Sequence, residues 1–276
     1  MTQVPDITLN TGAPMPQLGY GVFQVPADQV FEPVLAALQA GYRSIDTAAV
    51  YGNEEGVGKA LAESGLKREE LFVTTKLWND AQGYDSTLKA FDESLAKLGL
   101  DHVDLYLIHW PVAPKDKYVE TWKAFQQLHA DGRAKAIGVS NFQVPHLRRL
   151  LEETDVVPAV NQIELHPNLP QAELRKFHAE HGIATEAWSP LGQGKGLLDD
   201  AMLSSLAEKY GKSPAQVVLR WQIQLGNIAI PKSVTPSRIK ENLEVFDFEL
   251  ADDDVAAITA LKTGVRVGPD PDVFGS

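Results

Sequence analysis

The sequence predicts an α/β protein folded as a (β/α)₈ barrel with a small N-terminal β-hairpin. Eight short apolar runs alternate with amphipathic helical patterns, and no linker or charge block divides the 276 residues. Such alternation favours parallel strands covered by helices. A doubly wound sheet satisfies the same pattern, but the count of eight favours a barrel, which at this length is commonly one domain. We therefore expect a single domain over residues 1–276.

The predicted strands are short and several are rich in branched or aromatic residues, as strands covered on both faces should be. They span residues 18–21, 42–46, 71–76, 103–109, 134–140, 158–162, 183–188 and 227–231. Ahead of them, residues 7–17 carry Asn-Thr-Gly at positions 10–12, which predicts the turn of a β-hairpin.

Helical periodicity occupies the intervals between the strands. In residues 86–98 apolar side chains recur about every 3.6 residues, and Gly99 follows where such a helix should stop. Pro33 lies inside the first predicted helix, so we expect a late start or a kink there. The other predicted helices span residues 28–39, 119–128, 145–151, 171–181, 214–224, 236–245 and 252–261.

Composition limits the partners and the chemistry. The formal net charge of −12 disfavours contact with nucleic acid and anionic membranes, so we expect neither as a partner. The absence of cysteine excludes disulfides, thiolate nucleophiles and cysteine-ligated zinc, and it fits a cytoplasmic protein. Residues 1–16 lack the pattern of a signal peptide, and no run approaches the roughly 18 apolar residues of a membrane span.

Chemically active side chains fall at the C-terminal ends of the predicted strands, where a barrel enzyme builds its site. Asp46 ends the second strand and Tyr51 follows it, while Lys76 and His109 end the third and fourth. Each has an ordinary alternative: a turn cap, a rim aromatic, a solvated cation and a hydrogen-bonded structural histidine. Together they place a carboxylate, a phenol, an ammonium and an imidazole around one point.

Longer motifs surround these residues and run in order along nearly the whole chain: IDTA at 45–48, YGNE at 51–54, TTKLW at 74–78, DLYLIHWP at 104–111, GVSNF at 138–142, NQ at 161–162 and IPKS at 230–233. These motifs resemble the aldo-keto reductase family. Segments 18–23, 189–194 and 245–250 look most like the bacterial 2,5-diketo-D-gluconate reductases within it. The resemblance implies a (β/α)₈ barrel that reduces aldehydes or ketones to alcohols, with diketo-sugar acids as a candidate substrate class and NADPH as the hydride donor.

The resemblance implies that Asp46, Tyr51, Lys76 and His109 are catalytic and that no metal is required. A free tyrosine has a pKa of about 10, which is high for a proton donor near neutrality. We expect the Lys76 ammonium to lower the pKa of Tyr51, and Asp46 to supply the counter-charge that a buried ammonium needs. His109 is expected to orient the substrate carbonyl while Tyr51 protonates the developing alkoxide.

The barrel loops are expected to hold the cofactor. The G-x-G-x-x-G fingerprint is absent, because the glycines at 19 and 21 lack the third member. Given the resemblance, we expect Lys232 and Arg238 to bind the 2′-phosphate of NADPH beside the start of a helix; ordinary capping and solvated cations are the alternative. The expected cofactor contacts are Gly21, Val22, Asp46, Ser140, Asn141, Gln162, Trp188, Ser189, Leu191, Gly192, Lys232, Ser233, Val234, Arg238, Glu241 and Asn242.

Trp188 is expected to stack on the nicotinamide ring, although many family members carry tyrosine there and a core tryptophan is the alternative. Short loops at 110–118 and after residue 261 imply an open pocket for a small-molecule carbonyl substrate, and the family suggests a monomer. Two other functions stay open: a non-catalytic NADPH-binding protein on this scaffold, and a phosphate-binding barrel isomerase or lyase. The expected substrate contacts are Phe23, Tyr51, Trp78, His109 and Trp110.

Overall fold

The computed structural model describes residues 4–275 and shows a parallel barrel preceded by a hairpin. The hairpin consists of β1 (Asp6–Thr8) and β2 (Pro14–Pro16), which pair antiparallel. The barrel strands, each paired in parallel with the next along the chain, are β3 (Tyr20–Gly21), β4 (Ser44–Asp46), β5 (Phe72–Leu77), β6 (Val103–Ile108), β7 (Ala134–Ser140), β8 (Val160–Glu164), β9 (Ala184–Trp188) and β10 (Ile228–Ala229).

The ring of strands closes between β10 and the chain just before β3. Leu18 pairs in parallel with Ala229, and the Gly19 amide donates a hydrogen bond to the Ala229 carbonyl oxygen at 2.9 Å. The predicted (β/α)₈ barrel and its N-terminal hairpin are therefore confirmed.

Helices surround the barrel, and α1 begins at Phe31, so Pro33 lies in its first turn, where a missing N–H costs nothing. The late start is confirmed. The sequence patterns do not predict α2, which two glycines weaken, or α7, which adds a helix to the regular alternation. The helices are α1 (Phe31–Ala40), α2 (Glu54–Glu63), α3 (Tyr84–Leu98), α4 (Tyr118–Ala130), α5 (Val144–Glu153), α6 (Ala172–His181), α7 (Ala201–Tyr210), α8 (Pro214–Gln224), α9 (Pro236–Leu243) and α10 (Asp252–Thr259).

Strand β8 is displaced by two residues from its predicted range of 158–162. Pro158 has no N–H to give to a sheet ladder, and the regular pairing with β9 begins at Val160. The prediction was therefore wrong at this strand in one respect: Gln162 lies inside the strand, and Glu164 ends it. Both side chains are buried.

The barrel interior is apolar at its N-terminal end and polar at its C-terminal end. Leu105, Leu107 and Val160 pack inside the strands, and Met15 from the hairpin closes that end. A second and larger apolar layer lies between the strands and the helices. Because the lower interior is filled, charged side chains inside the barrel are confined to its upper end.

Candidate active site

A buried ion pair lies at the C-terminal end of the barrel interior. Lys76 from β5 is fully buried, and its Nζ donates to Asp46 Oδ1 at 2.6 Å and to the Thr47 carbonyl oxygen at 2.9 Å. Burial alone would lower the pKa of Lys76, but the charge of Asp46 and its hydrogen bond raise the pKa above the usual value. The ammonium therefore remains charged although no water reaches it.

Tyr51 lies directly against this ammonium. It belongs to a 3₁₀ turn that follows β4, and Lys76 Nζ lies 5.1 Å from the centre of its ring. Burial raises the pKa of Tyr51, and the lowering by Lys76 is the smaller effect, so the net pKa is above its ordinary value. The expectation that Lys76 lowers this pKa was therefore right for the pairwise interaction and wrong for the net direction in the ligand-free chain.

His109 follows β6 and completes the predicted group of four. Its ring centre lies 5.8 Å from that of Tyr51 and 5.2 Å from that of Trp78. Burial, and then the positive charge of Lys76, hold the pKa of His109 well below its usual range. The imidazole is therefore neutral at physiological pH and offers one N–H donor and one acceptor.

The structure also brings together hydrogen-bonding groups from the C-terminal halves of β7, β8 and β9 and from Asn141, which follows β7. The Asn141 amide donates to the His109 carbonyl oxygen at 3.0 Å and to Ser140 Oγ at 3.1 Å, and its Oδ1 accepts from Trp188 Nε1 at 2.8 Å. Ser140 Oγ in turn donates to the Gln162 carbonyl oxygen at 2.8 Å. Both Asn141 amide hydrogens are thus already used, and only its oxygen has a free acceptor position.

These groups open into a cavity of about 1040 Å³ at the barrel mouth. One end carries the aromatic side chains predicted for substrate. The other end carries Lys232 and Arg238, which are exposed and form no ion pair within residues 4–275. The predicted residues that line the cavity are Gly21, Phe23, Asp46, Tyr51, Trp78, His109, Trp110, Ser140, Asn141, Gln162, Trp188, Ser189, Leu191, Lys232, Ser233, Arg238, Glu241 and Asn242.

Three predicted cofactor contacts lie outside the cavity wall. Val22 is fully buried, Gly192 is buried in its loop, and Val234 is 52% exposed. Lys76 is also absent from the wall, because it lies beneath Asp46 and Tyr51. The assignment of the first three to the cofactor stays a prediction.

Sequence reasoning missed the C-terminal segment as part of the site. Buried Glu164 accepts hydrogen bonds from His166 Nε2 at 2.9 Å and from the backbone N–H groups of Val267 and Gly268 at 2.5 and 3.1 Å. This anchor brings the tail over the mouth, where Phe274 packs 4.3 Å from the Trp110 ring centre. Phe274, the one aromatic residue of the tail, was the available signal, so the pocket has a wall that the sequence did not predict.

Gly268 lies against the ring of Trp188, and a Cβ at this position would stand 2.4 Å from Trp188 Cη2. The close approach explains why glycine suits this position when tryptophan occupies the end of β9. The contact and the Asn141 hydrogen bond together fix the plane of the indole along the cavity wall.

Sequence reasoning also missed Glu186 in β9. Its carboxyl group is fully buried beside the ion pair, and its Oε2 accepts from Gln162 Nε2 at 2.9 Å. The same nitrogen donates to Asp46 Oδ2 at 2.8 Å. An acidic residue in the middle of a predicted strand was the signal.

No group of three or more histidine, aspartate and glutamate side chains in residues 4–275 is arranged to hold a metal ion. None of the helices described for this chain has the length and apolar character needed to cross a membrane.

Comparison with known proteins gives a consistent result. Residues 15–263 match the sequence model of the Aldo/keto reductase family. Over 270 residues the chain is 61% identical to an aldo-keto reductase of Mycolicibacterium smegmatis, with 98% of each chain covered. Over 277 residues it is 55% identical to the methylglyoxal reductase DkgA of Yersinia pestis, covering 100% of this chain and 99% of that protein.

The fold comparison agrees. The chain superposes with a TM-score of 0.94 on the crystal structure of a Gox0644 mutant in complex with NADPH. The two are 51% identical, and the match covers 99% of each chain.

The contribution of the Lys76–Asp46 ion pair to stability can be tested by substitution. Lys76→Met leaves the Asp46 charge buried without its counter-charge, so we expect it to lower the free energy of unfolding at pH 7 by roughly 3–5 kcal/mol. Adding Asp46→Asn removes the unpaired charge and should restore part of that loss. Urea unfolding measures both, with Lys89→Met, from the exposed Lys89–Glu93 pair, as a surface control. A Lys76→Met protein as stable as wild type would contradict the account.

Proposed function

The chain belongs to the aldo/keto reductase family, and we propose that it reduces small aldehydes or ketones to alcohols with NADPH, using Tyr51 as the proton donor. Family membership makes it an oxidoreductase. The observation that carries the rest is the buried Lys76 ammonium, held by Asp46 on one side and facing the Tyr51 ring on the other.

Tyr51 is suited to give a proton to a newly formed alkoxide. Its raised pKa keeps the phenol protonated throughout the neutral range, whereas an alkoxide is a far stronger base. When the O–H bond of Tyr51 breaks and the proton moves to the alkoxide oxygen, a phenolate remains beside Lys76. The ammonium stabilises that anion as the charge develops, and the effect is strong because Lys76 itself is fully buried.

His109 is suited to position the carbonyl rather than to protonate it. Because its pKa lies well below the usual range, the ring is a neutral imidazole at neutral pH and not the imidazolium that would act as a general acid. A neutral imidazole can still direct an N–H toward a carbonyl oxygen, and the packing of Trp78 against the ring holds its plane.

The distal end of the cavity fits a phosphate-bearing cofactor. Lys232 and Arg238 are exposed cations without an acidic partner among the described residues, at the beginning of α9, in a chain whose net charge is −12. Cations and free N–H groups at a helix start favour an anion. When bound, NADPH supplies a hydride to the carbonyl carbon.

The remaining cavity wall fits the nicotinamide side of the same molecule. Trp188 presents a flat ring held by Asn141, and Gln162 and Ser140 present polar groups beside it. Their contacts with the cofactor are part of the proposal, as is the contribution of Glu241 and Asn242 near the adenine.

The substrate end of the cavity favours a small carbonyl compound. Phe23, Trp78, Trp110 and Phe274 surround the space above Tyr51. The relative named methylglyoxal reductase supports a compact substrate with two adjacent carbonyl groups. Diketo-sugar acids are a second substrate class, suggested by the same subgroup of sequences.

The alternative functions gain no support from the site. A barrel isomerase or lyase would use Lys232 and Arg238 but leaves the Asp46, Lys76 and Tyr51 arrangement without a purpose. A non-catalytic NADPH-binding protein would not require a buried ammonium at the phenol. We further propose that the chain acts as one domain and as a monomer in the cytoplasm.

The proton donor is tested by Tyr51→Phe. Wild type should oxidise NADPH in the presence of methylglyoxal, and the variant should lose at least roughly 100-fold in kcat, the lower range for a general acid. NADPH affinity, followed by tryptophan fluorescence, should change little because the phenol ring stays. Tyr84→Phe, outside the cavity, is the control. Full turnover by the Tyr51→Phe protein would rule out Tyr51 as the acid.

Cofactor selectivity is tested by neutralising Lys232 and Arg238 to alanine. Each charge-assisted hydrogen bond contributes about 1.5–3 kcal/mol, so the double variant should lose at least tenfold more affinity for NADPH than for NADH. Lys240→Ala, on the same helix but outside the cavity wall, controls for the general loss of positive charge. Equal losses for the two cofactors would contradict a 2′-phosphate role.

A further inference from the structure

Glu186 is a buried carboxyl group to which the proposed reaction assigns no step. Its side chain comes from β9, directly beside Gln162 in the strand register. Oε2 accepts from Gln162 Nε2 at 2.9 Å, and Oε1 has no hydrogen-bond partner among the described residues.

The contact fixes the orientation of the Gln162 amide. Gln162 Nε2 has two hydrogens, and it donates to Glu186 Oε2 and, at 2.8 Å, to Asp46 Oδ2. A flipped amide would set its carbonyl oxygen against the ionised Asp46 carboxylate, which has no hydrogen to donate, and would lose that bond. The carbonyl oxygen of Gln162, a cavity-lining residue, is therefore the amide atom left to accept a hydrogen bond from a ligand.

If Asp46 and Glu186 were both ionised, two negative charges would face the single positive charge of Lys76. The titratable groups that face it are Asp46 from β4, Lys76 from β5 and Tyr51 from the turn after β4. Burial, and then repulsion by Asp46, raise the pKa of Glu186 to about 8, against smaller lowering by Gln162 and Lys76. One ammonium thus balances one carboxylate.

We propose that Glu186 is a positioning residue, a neutral acid at physiological pH that holds the Gln162 amide with its oxygen free for the carboxamide N–H of the nicotinamide. The neutral form also leaves Asp46 as the sole counter-charge of Lys76. The carboxamide contact rests on the proposed use of NADPH. The protonation of Glu186 does not, and it is measurable on the chain alone.

The first experiment compares the pH dependence of stability in wild type and Glu186→Gln without cofactor. A raised pKa in the folded state gives stability that is full below the ordinary value of 4.5 and is lost as pH rises to about 8. The variant cannot ionise, so its stability relative to wild type should increase between these values and then level off.

Glu164→Gln is the matched control, because Glu164 is equally buried. Burial alone would raise its pKa, but hydrogen bonds from His166 and two backbone N–H groups hold the pKa below the usual value. The ionisation of Glu164 itself should therefore add no change to the difference from wild type between about pH 5 and 8. A constant difference for Glu186→Gln would overturn the proposal.

Infrared spectroscopy gives a second readout that does not depend on how well a variant folds. Wild type at pH 7 should show the carbonyl stretch of a protonated carboxylic acid, and that band should disappear on titration above about pH 8. Glu186→Gln should lack it. Absence of the band in wild type at pH 7 would show an ionised Glu186 and overturn the proposal.

NADPH binding tests the positioning role. Glu186→Gln keeps an acceptor for Gln162 and should bind within about twofold of wild type, whereas Glu186→Leu should bind roughly fivefold more weakly, as expected for one lost hydrogen bond. Unchanged affinity in Glu186→Leu would refute the positioning role. If wild type itself failed to bind NADPH, the proposed function would fail, while the stability and infrared results would still decide the protonation of Glu186.

Discussion

The site depends on one buried ion pair, between Lys76 and Asp46. Two charges inside a barrel are costly to remove from water, and they are stable there only because each has further hydrogen-bond partners. Lys76 has the Thr47 carbonyl oxygen, and Asp46 has the Gln162 amide. The apolar lower interior holds both strands in place, so the ammonium is fixed under Tyr51 before any ligand arrives.

Burial at this end of the barrel favours the uncharged forms of the other titratable side chains. It raises the pKa of Tyr51 and Glu186 and lowers that of His109, so all three are neutral near pH 7. The Lys76–Asp46 pair is thus the fixed charge distribution against which a transient anion on Tyr51 would form. A site prepared in this way needs little reorganisation during proton transfer.

The barrel and the residues at the C-terminal ends of its strands could be predicted from sequence. Asp46, Lys76 and His109 lie at or next to strand ends, and a parallel barrel collects those ends at one face. Helical periodicity predicted most of the helices between the strands. The net shift in the pKa of Tyr51 could not be predicted, because it is a balance between burial, which raises the pKa, and the nearby charge of Lys76, which lowers it. Only the three-dimensional structure shows which effect is larger. The roles of Glu186 and Phe274 also depend on tertiary contacts. Glu186 lies within a strand, and only the folded barrel shows that its side chain faces Gln162. Phe274 reaches the cavity because Glu164 anchors the C-terminal segment.

The central claim is that Tyr51 keeps its proton beside a fixed ammonium. The most direct test is an ultraviolet titration of the ligand-free protein, with Tyr51→Phe subtracted so that only this phenol contributes. We expect Tyr51 to ionise above the value of about 10 found for a free tyrosine. Ionisation in the neutral range would contradict it, because the phenol would then have no proton to give.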